Sequence, residues 1–344
     1  MPLSEKDNFM KVINGETPEW VPRYTFGPDK FSTKEMATAS LMVNAIPSTF
    51  VPGAATWTDM FGVSYVASAQ TSGAALPVPD AHIMEDVRDW HKILTLPDIT
   101  NVDWDAVCKA AIDMIPGGVG SVATQFGGVG FGGGFFLPLM NMMGFTNGLI
   151  AMHEEPEAVH ELYNYMADWY VYGIERTIDK LPVDIFTVGD DTAAAFQPFI
   201  SPKQYHDLVV PYVSRLTKFA QDRNLPVMMH CCGRCEDFIE DWIDFGVTAW
   251  NPAQLTNDLD SIKKKYGNSL VLMGCWDSSG EAGYMYASEE VVRQAVRDCI
   301  DRFAPGGGFM FLGSVYGPED DPAVDLKRKW MTEEYEAYRE TPYK

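Results

Sequence analysis

The sequence predicts an α/β fold of the (β/α)8 type, a TIM barrel, with residues 1–344 forming a single domain. Two observations carry that expectation. From residue 156 onward, short apolar runs alternate with longer amphipathic ones through at least five consecutive units with short connections, the pattern of parallel β/α units. The residues with the most reactive side chains stand directly after the apolar runs, where the loops beyond the C-terminal ends of parallel strands build active sites.

The chain opens with a helical and irregular extension. Residues 4–14 read as an amphipathic helix bearing Phe9, Met10 and Ile13, with Gly15 beyond its end, and residues 17–24 as a first strand, so that 1–30 supply the N-terminal helix and first strand. Residues 31–90 mix short segments with Pro and Gly turns and give no placement. Two acidic, tryptophan-bearing turns, 96–98 and 103–105, then precede a helix. The run 117–134 holds nine glycines but lacks the Lys-Ser/Thr ending of a phosphate loop. It reads instead as a flexible or close-packed loop, or as a mobile wall over a ligand.

Regularity begins at Pro156. A helix at 157–181 leads to a strand at 183–188 that ends in Gly189-Asp190-Asp191, and Ser201-Pro202 starts a helix reaching 223. A strand at 226–230 and a helix at 236–243 follow, the helix closing at Gly246. Next come a strand at 247–251, a helix at 259–266, and a strand at 269–274 followed by Cys275-Trp276-Asp277. A helix at 289–303 and a strand at 308–313 complete the series.

Net charge is −22, which argues against nucleic acid or an anionic membrane surface as partner, since both need a basic face. The N-terminus has no basic region followed by an apolar one, and no apolar run is long enough to span a membrane. Six cysteines, three of them clustered, do not make a disulfide framework. The expectation is a cytoplasmic protein.

The chemistry concentrates where the strand at 226–230 ends, with His230 followed by Cys231, Cys232 and Cys235. His230 and Cys232 form an H-x-C pair and Cys232 and Cys235 a C-x-x-C pair, either of which supplies two ligands to a tetrahedral Zn²⁺. A lone C-x-x-C also fits a redox motif, and single cysteines pack at strand ends. Histidine with three cysteines at one terminus favours metal over both. A helix N-terminus at Cys235 would favour its thiolate, and alternation along the strand end should turn Cys231 away.

In a barrel all strand ends meet at one mouth, which makes Cys275 a third ligand from a distant stretch, as expected of a catalytic zinc with an open position. Cys108 and Cys299 fall inside predicted helices and read as core. Asp190 and Asp191 read either as a turn pair or as residues that orient substrate or hold a proton beside the metal. Trp250, Trp276, Met273, Met140, Met142 and Met143 read as core or as the lining of an apolar cavity.

The opening Asn8-Phe9-Met10-Lys11-Val12-Ile13-Asn14-Gly15-Glu16-Thr17-Pro18-Glu19-Trp20-Val21-Pro22 resembles the start of the uroporphyrinogen decarboxylase superfamily. Ile200-Ser201-Pro202, Val210-Pro211-Tyr212 and Leu272-Met273-Gly274 resemble it as well, in the same order. Within that superfamily the His230-x-Cys232-Gly233 turn is similar to the zinc motif of the corrinoid-dependent methyltransferases. The resemblance implies a (β/α)8 barrel and transfer of a methyl group from a methylated small molecule, above all a methoxylated aromatic, to the Co(I) of a cobalamin. Since no Asp-x-His-x-x-Gly segment is present, that cobalamin belongs to a separate corrinoid protein. Its carrier would dock over the mouth, where the 117–134 loop moves.

Two departures stand out. Thiol-specific methyltransferases place a ligand cysteine after the last strand, where this chain has Gly313-Ser314-Val315-Tyr316-Gly317. A variant pattern of aryl methyl ether demethylating members is met by Asp207, Cys235 and Cys275. The arginine-rich N-terminal turn that holds carboxylates in the decarboxylases is reduced to Arg23-Tyr24. The alternatives are transfer from a methyl-corrinoid to a thiol or to tetrahydrofolate, a decarboxylase, and a binding protein with a structural zinc.

Overall fold

The computed structural model describes residues 3–26, 29–35, 40–41, 56–67, 75–113, 123–125, 134–318 and 321–343. Most of the glycine-rich run, Gly132 and Gly133 included, lies outside them. The chain divides into two compact units, one of Met1–Thr38, Ser68–Ala74 and Thr248–Lys344, the other of Ala39–Ala67 and Ala75–Val247.

The first unit begins with helix α1 (Glu5–Ile13), capped by Ser4, whose side chain accepts the Asp7 amide hydrogen, and buried through Phe9, Val12 and Ile13. The predicted first strand is a single parallel bridge between Arg23 and Phe311.

The second unit carries β1 (Ser40–Leu41), β2 (Thr56–Thr58), β3 (Ser64–Ala67), β4 (Ala75–Pro77), α2 (Trp90–Ile93) and α3 (Trp104–Asp113). It continues with β5 (Ala123–Gln125), α4 (Phe136–Met143), α5 (Phe145–Glu154), α6 (Pro156–Thr177) and β6 (Phe186–Gly189). The last elements are α7 (Pro202–Leu208), α8 (Val210–Gln221), β7 (Val227–His230) and α9 (Ile239–Asp244). Strands β1, β5, β6 and β7 pair in parallel in that order, and β2-β3-β4 form a small antiparallel sheet.

The first unit resumes with β8 (Val247–Ala253), α10 (Leu259–Tyr266), β9 (Val271–Cys275), α11 (Glu289–Phe303), β10 (Phe309–Leu312) and α12 (Pro322–Tyr338). Strands β8, β9 and β10 are parallel neighbours, with the Arg23 segment bridged to β10. Among the described residues each unit thus holds four parallel segments.

Three differences from expectation have local causes. The predicted helix 201–223 is broken at Val209, because Pro211 has no N–H to donate to the Asp207 carbonyl and its ring crowds that oxygen; Pro211 instead opens α8. The 103–105 turn is the start of α3, whose Ala106 amide is capped by Asp103 at 3.0 Å. The antiparallel sheet between residues 56 and 77 went unplaced because its strands are three or four residues long and partly exposed, too short for periodicity to declare them.

Candidate metal centre

Strands β6 and β7 run side by side with Gly189 opposite His230, so the residues that follow them emerge together. The pairing continues one residue further, the Asp190 amide donating to the His230 carbonyl at 3.0 Å. Gly189 makes room there, since a Cβ at that position would lie 3.2 Å from the His230 Cβ.

Beyond β7 the chain turns sharply through Gly233 (φ +90°). A side chain at Gly233 would meet the Ala194 and Ala193 carbonyl oxygens at 2.5 and 2.6 Å, so only glycine lets the turn lie against the loop after β6. The Arg234 amide then donates to the Ala194 carbonyl at 2.8 Å. These contacts fasten the two strand-end loops to each other.

Three potential ligand atoms converge in the space so formed, one each from Asp191, His230 and Cys232, all within 4.8 Å of one another. The Cys232 Sγ is 3.8 Å from His230 Nε2, and His230 Nε2 is 3.9 Å from Asp191 Oδ1. With Zn–S near 2.3 Å and Zn–N and Zn–O near 2.1 Å, the edges of a tetrahedral site are about 3.4–3.6 Å. The two edges at His230 exceed that by only a few tenths of an ångström, and the cluster's nitrogen, sulfur and oxygen donors suit a borderline cation such as Zn²⁺. Burial, then the neighbouring Asp191 carboxylate, push the Cys232 thiol well above its usual range. A bound divalent cation opposes both effects by stabilising the thiolate. The residues present therefore fit a zinc ion.

The other predicted residues divide by where their side chains face. Cys231 is buried, its Sγ 3.5 Å from Thr192 Oγ1 and outside the cluster. Cys235 is fully buried and its Sγ donates to the Cys231 and Gly233 carbonyls, both at 3.6 Å. Burial and the adjacent Cys231 hold its thiol well above the usual range. The segment after it, Glu236–Phe238, is a 3₁₀ turn that leads into α9.

Cys275 ends β9 in the first unit, in the left-handed region at φ +58°. It is buried, and its carbonyl accepts from the Cys299 Sγ at 3.3 Å. Burial raises its thiol, and the charges acting on it, Lys263, Arg302 and Asp260, come from α10 and α11. Asp207 is exposed on α7 and ion-paired with Lys203. Trp250, Trp276, Met273, Met140, Met142 and Met143 are all buried core residues.

Asp190 and Asp191 face opposite ways, as neighbours at a strand end do. The Asp191 Oδ1 accepts the Cys232 amide hydrogen at 2.7 Å. The Asp190 carboxylate is buried and accepts three amide hydrogens at the start of α4, from Phe135 and Phe136 at 2.7 Å and Leu137 at 2.9 Å. Burial pushes its pKa up to about 7, against the pull of those three bonds. Sequence reasoning missed this arrangement because α4 lies far from Asp190 along the chain.

The model of the family described as uroporphyrinogen decarboxylase (URO-D) matches residues 58–320, more than half of the chain. The protein belongs to the uroporphyrinogen decarboxylase family. Among curated relatives of this URO-D family member, the uroporphyrinogen decarboxylase of Cellvibrio japonicus is 24% identical over 176 residues, 50% of this chain and 46% of that protein. That of Psychromonas ingrahamii is 27% identical over 164 residues, 46% of this chain and 42% of that one. The chain thus spans about half the length of the curated relatives it matches. Among solved structures, a methyltransferase from Methanosarcina mazei superposes with a TM-score of 0.58 at 12% identity, over 98% of this chain and 99% of the other. At that identity the likeness establishes the fold: the α/β, URO-D-like barrel fold that the sequence predicts. No helix among the described residues is long and apolar enough to cross a membrane.

Proposed function

We propose that this URO-D family member is a zinc-dependent methyltransferase, with residues 1–344 acting as one catalytic domain. It moves a methyl group from a methylated small molecule, a methoxylated aromatic foremost, to the Co(I) corrinoid of a separate partner protein in the cytoplasm. The observation that carries this reading is the Asp191–His230–Cys232 cluster at the ends of two adjacent parallel strands. His230 and Cys232 hold the Zn²⁺, Asp191 fixes the Cys232 backbone and offers a third donor, and Cys235 and Cys275 are the further thiolates to be tested. Bound Zn²⁺ supplies Lewis acidity toward the negative charge that develops on the leaving oxygen.

What the chain's own residues do follows from their placement. Asp191 and His230 are partly exposed, with side-chain exposures of 36% and 29%, so one side of the cluster stays accessible to substrate. The Gly233 turn and the Arg234 amide hold the ligands against the β6 loop, so the donors are placed before any ligand arrives.

The decarboxylase alternative needs free cations for a polycarboxylate. The two arginines that the sequence offers at strand ends are both ion-paired: Arg23 with Asp29 at 2.7 Å, its buried Nε making no hydrogen bond, and Arg234 with Glu236 at 2.6 Å and Asp237 at 2.8 Å.

The test is incubation of the zinc-loaded protein with a reduced corrinoid protein and a panel of methoxyphenols. Appearance of a methyl-Co(III) spectrum is the expected result, and silence with every ether overturns the reading. A parallel arm with methylcobalamin and thiol or tetrahydrofolate acceptors identifies the opposite half-reaction by its methylated product.

A further inference from the structure

We infer that Asp190 is a positioning residue: it fastens the first turn of α4 to the turn that carries His230 and Cys232, and so makes that turn's affinity for a divalent cation depend on where α4 begins. The inference deepens the metal reading above and rests on it.

Helix α4 opens without a side-chain cap of its own, Phe135 occupying the cap position. Its first amide hydrogens are met instead by Asp190, whose two oxygens accept from Phe135, Phe136 and Leu137. Unmet buried amides are costly, so α4 and Asp190 hold each other. On its other side Asp190 donates its backbone amide to the His230 carbonyl at 3.0 Å, and one peptide unit further the Asp191 carboxylate accepts from the Cys232 amide at 2.7 Å. One dipeptide therefore bonds to α4 through its first side chain and to the ligand turn through its first amide and second side chain.

The connection has little slack. Gly134, at φ +107°, enters α4 so close to the carboxylate that a Cβ there would fall 2.4 Å from the Asp190 Cγ. A displacement of the first turn of α4 must then be met by Asp190, and through it by Asp191 and the His230 carbonyl. The same geometry separates positioning from proton transfer. Both Asp190 oxygens already accept amide hydrogens and the residue is only 5% exposed, which favours a role in holding α4 over one in moving a proton.

Coupling between two places is reciprocal. If α4 sets the cation affinity, the cation must steady α4. The first experiment uses the unaltered protein: amide hydrogen exchange with and without Zn²⁺. Exchange at Phe135, Phe136 and Leu137 should slow several-fold on metal binding, and unchanged exchange at all three overturns the inference.

The second experiment titrates Co²⁺ and records its d–d spectrum in the wild type, Asp190→Asn and Leu216→Ala. Leu216 lines the same cavity as Phe135 and Asp190 without a hydrogen bond to either, and reports loosened packing there with the amide bonds of Asp190 left in place. The expected result is that Asp190→Asn weakens Co²⁺ binding by about tenfold or more, the range for residues that orient metal ligands, and alters the spectrum. Leu216→Ala should lower the melting temperature while keeping wild-type affinity and spectrum. An Asp190→Asn protein that melts lower but binds Co²⁺ like the wild type overturns the inference alone. A wild type that takes up no cation overturns the metal reading and this inference with it.

Discussion

The Asp191 carboxylate accepts the backbone amide hydrogen of Cys232 at 2.7 Å, from the end of one strand to the turn after its neighbour. Asp191 thereby fixes the main chain that carries the thiol while standing 3.9 Å from the imidazole that would share the cation. Three substitutions separate its parts. His230→Ala and Cys232→Ala should each abolish stoichiometric zinc, measured by elemental analysis of the purified protein. Asp191→Asn keeps an acceptor but loses charge, and should weaken zinc by about 10–100-fold.

Cys235→Ala should retain the metal, because the Cys235 side chain already bonds to carbonyls of its own turn. Cys275→Ala decides whether the first unit adds a thiolate. Loss of zinc makes Cys275 a ligand, and full retention removes it.

Gly233→Ala should destabilise the protein by about 2–4 kcal/mol. The sum combines the left-handed backbone penalty with overpacking against the carbonyls of Ala193 and Ala194. Urea unfolding of the zinc-free protein checks it, and a shift under 1 kcal/mol would show that the turn relaxes at little cost.

A pH effect is expected where α7 meets α9. His206 Nδ1 lies 2.6 Å from Asp241 Oδ1, and that hydrogen bond and charge raise the His206 pKa, with Asp207 and Asp244 acting in the same direction. A histidine raised in the folded state contributes stability below the unfolded value near 6.5, and the contribution disappears as pH rises through the folded pKa. The wild type should therefore exceed Asp241→Asn in melting temperature by more at pH 5.5 than at pH 8.5. NMR titration should show the His206 pKa falling in that variant.

Phe196 stands 84% exposed at the tip of the loop after β6, where Ala193 and Pro198 form an antiparallel bridge. On the proposed function, this exposed ring on the loop whose Ala193 and Ala194 carbonyls meet the Gly233 turn is a contact to test for the corrinoid partner. Phe196→Ala should slow methyl transfer to the corrinoid protein several-fold while leaving transfer to free cobalamin at the wild-type rate. Equal rates on both acceptors would place the docking surface elsewhere.

Much of this site was legible because strand ends announce themselves. Val227-Met228-Met229 is an unbroken apolar run, and His230 stops it, so its position beyond a buried strand follows from sequence. The run before Asp190-Asp191 reads the same way. What stayed hidden was direction. Asp190 and Asp191 are identical in kind and adjacent, and only the amides of Phe135, Phe136 and Leu137, distant in sequence, assign one to α4 and leave the other to the cluster. Burial of Cys235 was hidden for a related reason: the acidic residues after it resemble a helix start, yet the backbone makes a 3₁₀ turn before α9, and the Cys235 side chain is enclosed by its own turn.

The break that Pro211 makes between α7 and α8 divides loyalties along one stretch of chain. Ahead of the break, Tyr205 stacks on Phe238 at 4.2 Å and its hydroxyl accepts from Trp242 at 3.0 Å, binding α7 to the segment just after the ligand turn. Behind it, Tyr212 bonds to His160 and Arg215 to Asp168, binding α8 to α6. Sequence drift should respect that boundary. Paired replacements at the outer, ion-paired positions of the α6–α8 seam such as Arg215 and Asp168 can accumulate with little effect on metal binding, whereas the tyrosines of that seam that pack on Phe135 and the side chains of α7 that reach Phe238 and Trp242 are the ones a diverging lineage can least afford to exchange.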